Sequence, residues 1–452
     1  MKDFARIHSE FVDSNIPWLG KIPNNWKLHR LDKLFIIRKE LPQETDQRVT
    51  AYLDGRVTLR SNVKGQKIKG VVKETGWQRI YHGDFAISGM NAHIGGMGVS
   101  DSLGKCSPIY LVLIPKKGFN VYFISHVVRY TAHSGALKNL VNTIRYNSAD
   151  FKQDDLKKIW VWLPPLEEQN AIVRFLDYTD RRIKRYIRTK QKLIKLLEEE
   201  KQAIIHQAVT RGLNPDVKLK PSGVDWIGNI PNNWNVSRVK NEFLNLNNKR
   251  IPISSSERGK MTLRLYDYYG ASGIIDKVED YIFDDELLLI AEDGANLVLR
   301  NLPLAIIARG KFWVNNHAHI LKPIHGNILY LAHVMENINY QPWISGAAQP
   351  KLTLDRLMSI PIVVPILEEQ NQLLAWINEK ISPIIQQINK FKIEISLLQE
   401  YRTRLIADVV TGKLDMRAAA VELPEELDEE EKIDVEAFEP EEDDELEEAL
   451  EP

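Results

Sequence analysis

In two long stretches of the chain, seven of eleven positions taken at alternating steps of four and three are apolar or aromatic, the spacing of one stripe along a helix. The first runs from Glu167 to Val209 without Gly or Pro, and Arg211-Gly212 stops it. Its stripe passes through Ile172, Leu176, Ile183, Tyr186, Leu193, Leu197 and Ile204. The second stripe passes through Leu373, Ile377, Ile384, Phe391, Leu398, Tyr401 and Leu405. Each helix would span roughly 65 Å at the usual rise per residue. Ser382-Pro383 predicts a helix start or a kink inside the second. A single stripe cannot bury itself, whereas two in one chain can pair. Each must return across an intervening segment, so antiparallel pairing is the economical geometry. Those segments, 27–150 and 235–355, carry short apolar runs between Gly and Asn residues. YLVLI (110–114), LLLIA (287–291) and LPLAII (302–307) read as strands of compact α/β units.

The helices begin on a repeated block. Leu166-Glu167-Glu168-Gln169-Asn170 returns as Leu367-Glu368-Glu369-Gln370-Asn371. A second block, Ile22-Pro23-Asn24-Asn25-Trp26, returns as Ile230-Pro231-Asn232-Asn233-Trp234, with Trp18 and Gly20 matched by Trp226 and Gly228. The frame repeats while the segments it carries do not resemble each other. Trp26 and Trp234 recur with the frame, so they read as packing residues.

Composition adds a charge segregation. The 452 residues hold 60 Lys and Arg against 61 Asp and Glu, a net charge of −1. Residues 421–452 contain 18 acids and one base, Lys432, leaving the rest of the chain at +16. A body of that charge points to a polyanion, nucleic acid ahead of an anionic membrane. The single cysteine, Cys106, excludes a disulfide framework and a Cys-cluster zinc site, and fits a reducing cytoplasm. The start MKDFARIHSEF lacks a signal-type apolar region, and no run approaches the roughly 18 apolar residues of a membrane span.

Signatures of catalysis are missing. GVSDSLGKC (98–106) has five residues between its glycines, and Cys106 stands where a P-loop needs Ser or Thr. GGMGVS (95–100) does not complete a dinucleotide-binding pattern, LPPL lacks the flanks of an adenine-methyltransferase Pro-Pro, and Pro215-Asp216 lacks a downstream Glu-x-Lys. His317 and His319 have no third ligand nearby, so no metal is expected. A binding protein fits better than a catalyst. Two different globules on a rigid pair of helices suit the reading of two sites on one duplex, whose face recurs about every 34 Å. A coiled-coil adaptor joining two protein-binding modules remains the alternative on pattern alone.

The repeated LEEQN entry into a long helix, the repeated WLGKIPNNW and WIGNIPNNW blocks (18–26 and 226–234) and the alternation with two variable segments resemble the specificity (S) subunit of type I restriction–modification systems. The resemblance covers about 14–415 and excludes the acidic tail. It implies an α+β fold: two α/β target recognition domains separated by two long antiparallel coiled-coil helices, in an internal pseudo-repeat. The expected division is a first recognition domain (1–150), a helical spacer (151–213), a second recognition domain (214–355), a second spacer (356–417) and an acidic, disordered tail (418–452). It also implies a non-catalytic subunit that reads an asymmetric bipartite target in double-stranded DNA. Two methyltransferase (M) subunits would dock on it, with restriction/translocase (R) subunits. This chain would bind no cofactor, and S-adenosylmethionine, ATP and Mg would sit in those partners. A coiled-coil adaptor without DNA binding and a self-contained DNA-modifying enzyme are the competing readings.

Phosphate contacts need Lys, Arg or backbone amides, and base reading needs polar side chains in a groove. In the first segment Arg56, Arg60, Lys64, Lys67 and Lys69 cluster, the Gly-rich 88–98 presents Ser88, Asn91 and His93, and Arg145 and Asn147 precede the helix. In the second the candidates are Lys249, Arg250, Arg264, Tyr268, Asn296, Arg300, Lys311, Asn315, Asn316 and His317. Phe312 and Trp313 read as core.

Overall fold

The computed structural model describes residues 8, 10–63, 75–140, 143–145, 148–149, 151–214, 216–224, 226–346 and 349–424. Its contacts divide the chain into two compact units, Met1–Gln191 with Lys392–Pro452, and Lys192–Phe391. Lys64, Lys67, Lys69, Asn147 and the acidic stretch after Pro424 lie outside the described residues, as does the side chain of Arg145.

The first unit includes, among shorter strands, β1 (Lys27–Arg30), β2 (Phe35–Ile37), β3 (Phe85–Ser88), β4 (Met97–Val99) and β5 (Tyr110–Pro115). There follow α1 (Val121–His133), β6 (Trp160–Leu163) and the long helix α2 (Leu166–Arg211). Strands β2, β5, β3 and β4 form, in that order, an antiparallel sheet. Alternation along β3 and β5 sends Phe85, Ile87 and Leu113 against Phe123, Ile124 and Val127 of α1. Ala86 and Val112 face a second, smaller core with Val49, Val57 and Cys106.

The second unit holds β7 (Val236–Arg238), β8 (Phe243–Asn245), β9 (Tyr266–Gly270), β10 (Gly273–Val278), β11 (Phe283–Ala291), β12 (Ala305–Val314) and β13 (Ala318–Pro323). Next come α3 (Ile328–Glu336), β14 (Pro361–Val363) and α4 (Leu367–Val410). Its sheet has six strands in the order β8, β13, β11, β12, β9, β10, antiparallel except for β9 beside β12. Leu288 and Ile290 pack beneath α3, while Leu287 and Leu289 turn to a cluster with Phe283 and Phe312 on the other face. Phe312 is core, as its sequence context predicts, whereas Trp313 is only half-buried and donates its indole N–H to the Ile251 carbonyl at 2.6 Å.

Both long helices are continuous, 46 and 44 residues. Each contributes to both units, and within each unit the pairing is antiparallel. In the first unit Ile172, Val173 and Leu176, at the start of α2, share a core with Leu405, Val409 and Val410, at the end of α4. In the second, Ile205, Ala208 and Val209 meet Leu373, Leu374 and Ile377. Asp180 pairs with Arg402, and Lys190 with Glu394 at 2.8 Å. Pro383 does not interrupt α4. It sits on the exposed side, so the carbonyl that loses its N–H partner, that of exposed Glu379, faces solvent. In α2 the stripe is buried toward the ends but thin in the middle, whereas α4 keeps Ile384, Ile388 and Phe391 buried. Tyr186 is 53% and Leu193 38% exposed.

The two repeated blocks fold onto each other. The Trp26 indole donates to Glu168 Oε1 at 3.1 Å, and that of Trp234 donates to Glu369 Oε1 at 2.8 Å. Asn25 and Asn233 each donate to the other oxygen of the same carboxylate at 3.4 Å. Gln169 and Gln370 donate to the carbonyls of Pro164 and Pro365 and accept from the backbones of Asn120 and Asn327, all at 2.8 Å. Asn120 and Asn327 then cap α1 and α3 through their side chains. Gly212 and Gly412, at φ +72° and +75°, end α2 and α4 beside Trp234 and Trp26 respectively. Glu168, Gln169, Trp26 and their copies are therefore bonded within the frame, and Trp26 and Trp234 are packing residues as the repeat suggests.

Beyond Val410 the chain forms a short helix, Arg417–Val421, with Ala419 and Ala420 buried in the first unit's core. Packed structure thus extends into the stretch that the sequence assigns to the tail. Arg174 on α2 donates to the carbonyls of Leu423 and Pro424 at 2.8 and 3.1 Å.

Candidate nucleic-acid interface

The candidates in the first unit divide by what already holds them. Arg56 follows the hairpin tip at Gly55, donates to Asp54 at 2.6 Å and lies over the Tyr52 ring. Arg60 opens a 3-10 turn and donates to Thr50 at 3.1 Å. Ser88 ends β3 and is buried, its hydroxyl accepting from the Asn91 backbone at 3.4 Å. Asn91 and His93 are half-buried, and Asn91 Oδ1 and His93 Nδ1 have no partner among the described residues. Burial first, then nearby Lys138, holds the His93 imidazole below its ordinary range.

The glycines of 88–98 serve close packing. A Cβ on Gly98 would lie 2.0 Å from the Gly55 carbonyl, and one on Gly95, already at φ +95°, would lie 2.8 Å from the His133 ring. The loop is thereby fixed against the 52–56 hairpin and α1. Arg56, Asn91 and His93 are presented from this fixed edge.

In the second unit the polar side chains converge more tightly. Arg250 donates to Glu292 at 2.6 Å and to the carbonyls of Asn316 and Ala318 at 3.2 and 3.0 Å. Lys351 reaches Glu292 at 3.3 Å, and buried His319 lies 3.6 Å from it. Arg250 and these neighbours hold the Glu292 carboxyl below its ordinary range against the opposing effect of burial. His317 Nδ1 lies 2.9 Å from Asp293. The buried Asn315 side chain accepts from the His317 backbone at 2.8 Å, and Asn316 is exposed. Arg250, Asn315, Asn316 and His317 thus form one constellation at the β12–β13 turn.

The remaining candidates are scattered around it. Arg264 pairs with Asp276 at 2.6 Å, and Lys249 is exposed. Tyr268 is buried at 1% exposure, with its hydroxyl bonded to the Ile253 backbone. Asn296 bonds both backbone groups of Leu302, and Arg300, at φ +53°, donates to the Ile338 carbonyl at 2.9 Å. Lys311 sits 4.6 Å over the Tyr281 ring, and bonding to that hydroxyl raises its ammonium above the ordinary range. Exposed Lys249, Asn316, His317 and Lys311 offer their polar atoms to solvent, whereas Tyr268 and Asn315 position backbone around them. No group of three or more His, Cys, Asp or Glu residues suited to a metal occurs among the described residues. Nor is any helix there long and apolar enough to cross a membrane.

Sequence reasoning missed Asn120 and Asn327, which tie each globule to the frame. The signal was present: Asn120-x-x-Phe123-x-x-His126-Val127 returns as Asn327-x-x-Tyr330-x-x-His333-Val334 inside segments that otherwise differ.

The chain matches the family described as "Type I restriction modification DNA specificity domain" twice, over residues 23–196 and 231–400. It is 25% identical over 424 residues to the type I restriction enzyme MjaX specificity subunit of Methanocaldococcus jannaschii, covering 88% of this chain and 96% of that protein. A type I restriction enzyme specificity subunit of Haemophilus influenzae is 38% identical over 133 residues, which is 28% of this chain and 32% of that protein. A solved chain from work on assembly and conformational transition of the type I R-M system shares the fold, with a TM-score of 0.62 at 14% identity, covering 87% of this chain and 99% of that one. Two family matches, each centred on one globule and its helix, account for the repeated frame: the chain belongs to the type I restriction–modification DNA specificity subunits.

Proposed function

We propose that the two globules read the two halves of an asymmetric bipartite target in double-stranded DNA. One observation carries the proposal. The same hydrogen-bonded frame holds a four-stranded sheet in one unit and a six-stranded sheet in the other. A repeated frame with different inserts is what two unlike half-sites require. Lys249, Lys311, Asn316 and His317 in one unit, and Arg56, Asn91 and His93 in the other, are the described side chains offered for contact. Lys64, Lys67, Lys69, Arg145 and Asn147 remain candidates on charge and position in the sequence.

In this reading the chain is the non-catalytic subunit, and its helices set the gap between half-sites. Two methyltransferase subunits dock on the frame and helices, where Tyr186, Leu193 and Leu397 leave apolar surface exposed. Restriction/translocase subunits join them. S-adenosylmethionine, ATP and Mg belong to those partners. Each methyltransferase would act on a base flipped from the duplex near one globule. Methylome sequencing with and without the gene tests this: one bipartite methylated motif should vanish on deletion, and its persistence overturns the reading. Inserting one short helical repeat near Leu197 should lengthen the gap and leave both half-sites unchanged.

A further inference from the structure

Two histidines two residues apart in the second unit are held in opposite tautomers. Asn247 Oδ1 is taken by the Ile320 backbone, so its amide N–H₂ faces buried His319 and donates to Nδ1 at 2.8 Å. His319 then donates from Nε2 to the Leu352 carbonyl at 2.8 Å, and both of its nitrogens are in use. His317 differs. Its side chain is 46% exposed, and its Nδ1 lies 2.9 and 3.0 Å from the two carboxylate oxygens of Asp293. A carboxylate only accepts, so in the neutral ring the hydrogen sits on Nδ1 and the lone pair on Nε2. That Nε2 has no bonded partner among the described residues.

The backbone around the ring is fixed as well. The His317 N–H donates to the Asn315 side chain at 2.8 Å, and the His317 carbonyl accepts from the Glu292 backbone at 2.9 Å. The Glu292 carbonyl accepts in turn from Leu352 at 2.8 Å, and Asp293 forms a backbone bridge with Lys351. Ring and carboxylate are therefore ordered before a ligand arrives, which lowers the entropy cost of using Nε2 for recognition.

An outward-facing acceptor narrows what a duplex can offer it. Phosphate oxygens only accept. In the major groove guanine presents N7 and O6 and thymine presents O4, all acceptors, whereas adenine N6 and cytosine N4 are amines that donate. That groove, about 12 Å wide, is also the one that admits a two-stranded ribbon. Exposed Lys249 and Lys311 in the same unit are donors of the kind phosphates take. We propose that His317 reads an exocyclic base amine, adenine N6 or cytosine N4, through Nε2, and that Asp293 is the positioning residue that fixes the accepting tautomer. The assignment rests on the reading that this unit binds a half-site, and it names the chemistry of one base within it.

The test begins with methylome sequencing of cells carrying the wild-type gene or His317→Ala. In the variant one position of one half-site should relax, with the gap, the other half-site and the melting temperature unchanged. Binding of the full chain to duplexes carrying the motif then isolates the amine. The adenine or cytosine of the relaxed base pair is replaced by purine or 2-pyrimidinone, which lack it. The replacement should weaken wild-type binding at least five-fold and His317→Ala binding not at all. Asp293→Asn can donate to Nδ1 and so moves the hydrogen to Nε2; it should lose the amine preference while keeping the ring. His317→Gln, whose amide can accept, should retain the preference. Equal weakening on every duplex, unrelated ones included, is what a ring donating to phosphate gives and would overturn the assignment. So would full amine sensitivity in Asp293→Asn. An unchanged motif in His317→Ala sinks this inference alone, whereas a motif that persists without the gene sinks the half-site reading with it.

Discussion

The two units solve one structural problem twice and a second problem differently. The repeated problem is attaching a globule to a helix, and both copies use the same bonds: indole to second glutamate, glutamine to N-cap asparagine, glycine beneath the indole. The variable problem is what the globule presents. The first unit fixes a Gly-rich loop against a hairpin and α1. The second gathers Arg250, Glu292, His317 and Lys351 at a β-turn. Where one sequence folds twice, what repeats is the attachment and what varies is the surface offered to a ligand. This separation lets half-sites change without rebuilding the frame.

The sharpest way to break the comparison is at the two indoles. Trp26→Ala and Trp234→Ala should each cost about 3–5 kcal/mol, because losing a fully packed ring leaves a cavity and takes one donor from a carboxylate. The Phe variants separate these effects. Glu168 is 3% exposed, while Glu369 is only half-buried and can recruit water. Trp26→Phe should therefore destabilise its unit more than Trp234→Phe, as read by hydrogen exchange of peptides from each unit. Equal losses would mean that the two frames differ in packing rather than in desolvation.

These contacts also mark what the sequence discloses. Five identical residues repeated in order announce Glu168 and Trp26 as parts of one frame, and the stripe spacing announces both helices. The partnership of Gln169 with Asn120 is harder to read, because it joins residues 49 apart through one side-chain oxygen and one backbone N–H. No periodicity encodes that. Likewise Tyr268 and Arg250 have the chemistry of base and phosphate contacts, and composition is silent about a hydroxyl bonded to Ile253 or a guanidinium bonded to Glu292. Pro383 is a further case. Its residue type predicts a break, and its place on the exposed side of α4 removes the reason for one.

Acid should separate the units next. His126 and His333 occupy the same frame position. Burial first, then Arg129, lowers His126 to about 4, whereas burial alone lowers His333. A folded imidazole of depressed pKa binds protons less readily than the unfolded one. Stability is complete above the unfolded value of about 6.5 and is lost as pH falls toward 4. The loss should reach about 1–3 kcal/mol in the first unit and less in the second. Hydrogen exchange at pH 7 and pH 5 checks this, and His126→Gln should reduce the first unit's response, leaving the part due to His93 and His133, which burial first also lowers. A larger response in the second unit would contradict the role of Arg129.

Substituting the helix-ending glycines should come third. Both lie at positive φ, so Ala costs about 1 kcal/mol at either. A Cβ on Gly412 would also meet Pro23 at 2.6 Å, while at Gly212 the nearest atom is 3.4 Å away in the Trp234 ring. Gly412→Ala should be the costlier of the two in thermal unfolding. Equal costs would show that Pro23 yields without strain.

The smallest expected difference is at the caps. Asn120 accepts from the Tyr122 and Phe123 backbones, at 2.9 and 3.3 Å, whereas Asn327 accepts from Leu329 alone, at 3.0 Å. Both also donate to the frame asparagines, Asn170 and Asn371, at 2.9 Å. Replacement by Ala should cost about 1 kcal/mol in each unit, slightly more at Asn120. Asp keeps the cap and favours the helix N-terminus, but it loses the N–H₂ donor to the frame. Asn→Asp should therefore retain helix protection in hydrogen exchange while loosening the start of α2 or α4, where Gln169 or Gln370 is held. If Asp instead behaves like Ala, the asparagine serves chiefly as the link between globule and frame, and capping is its lesser role.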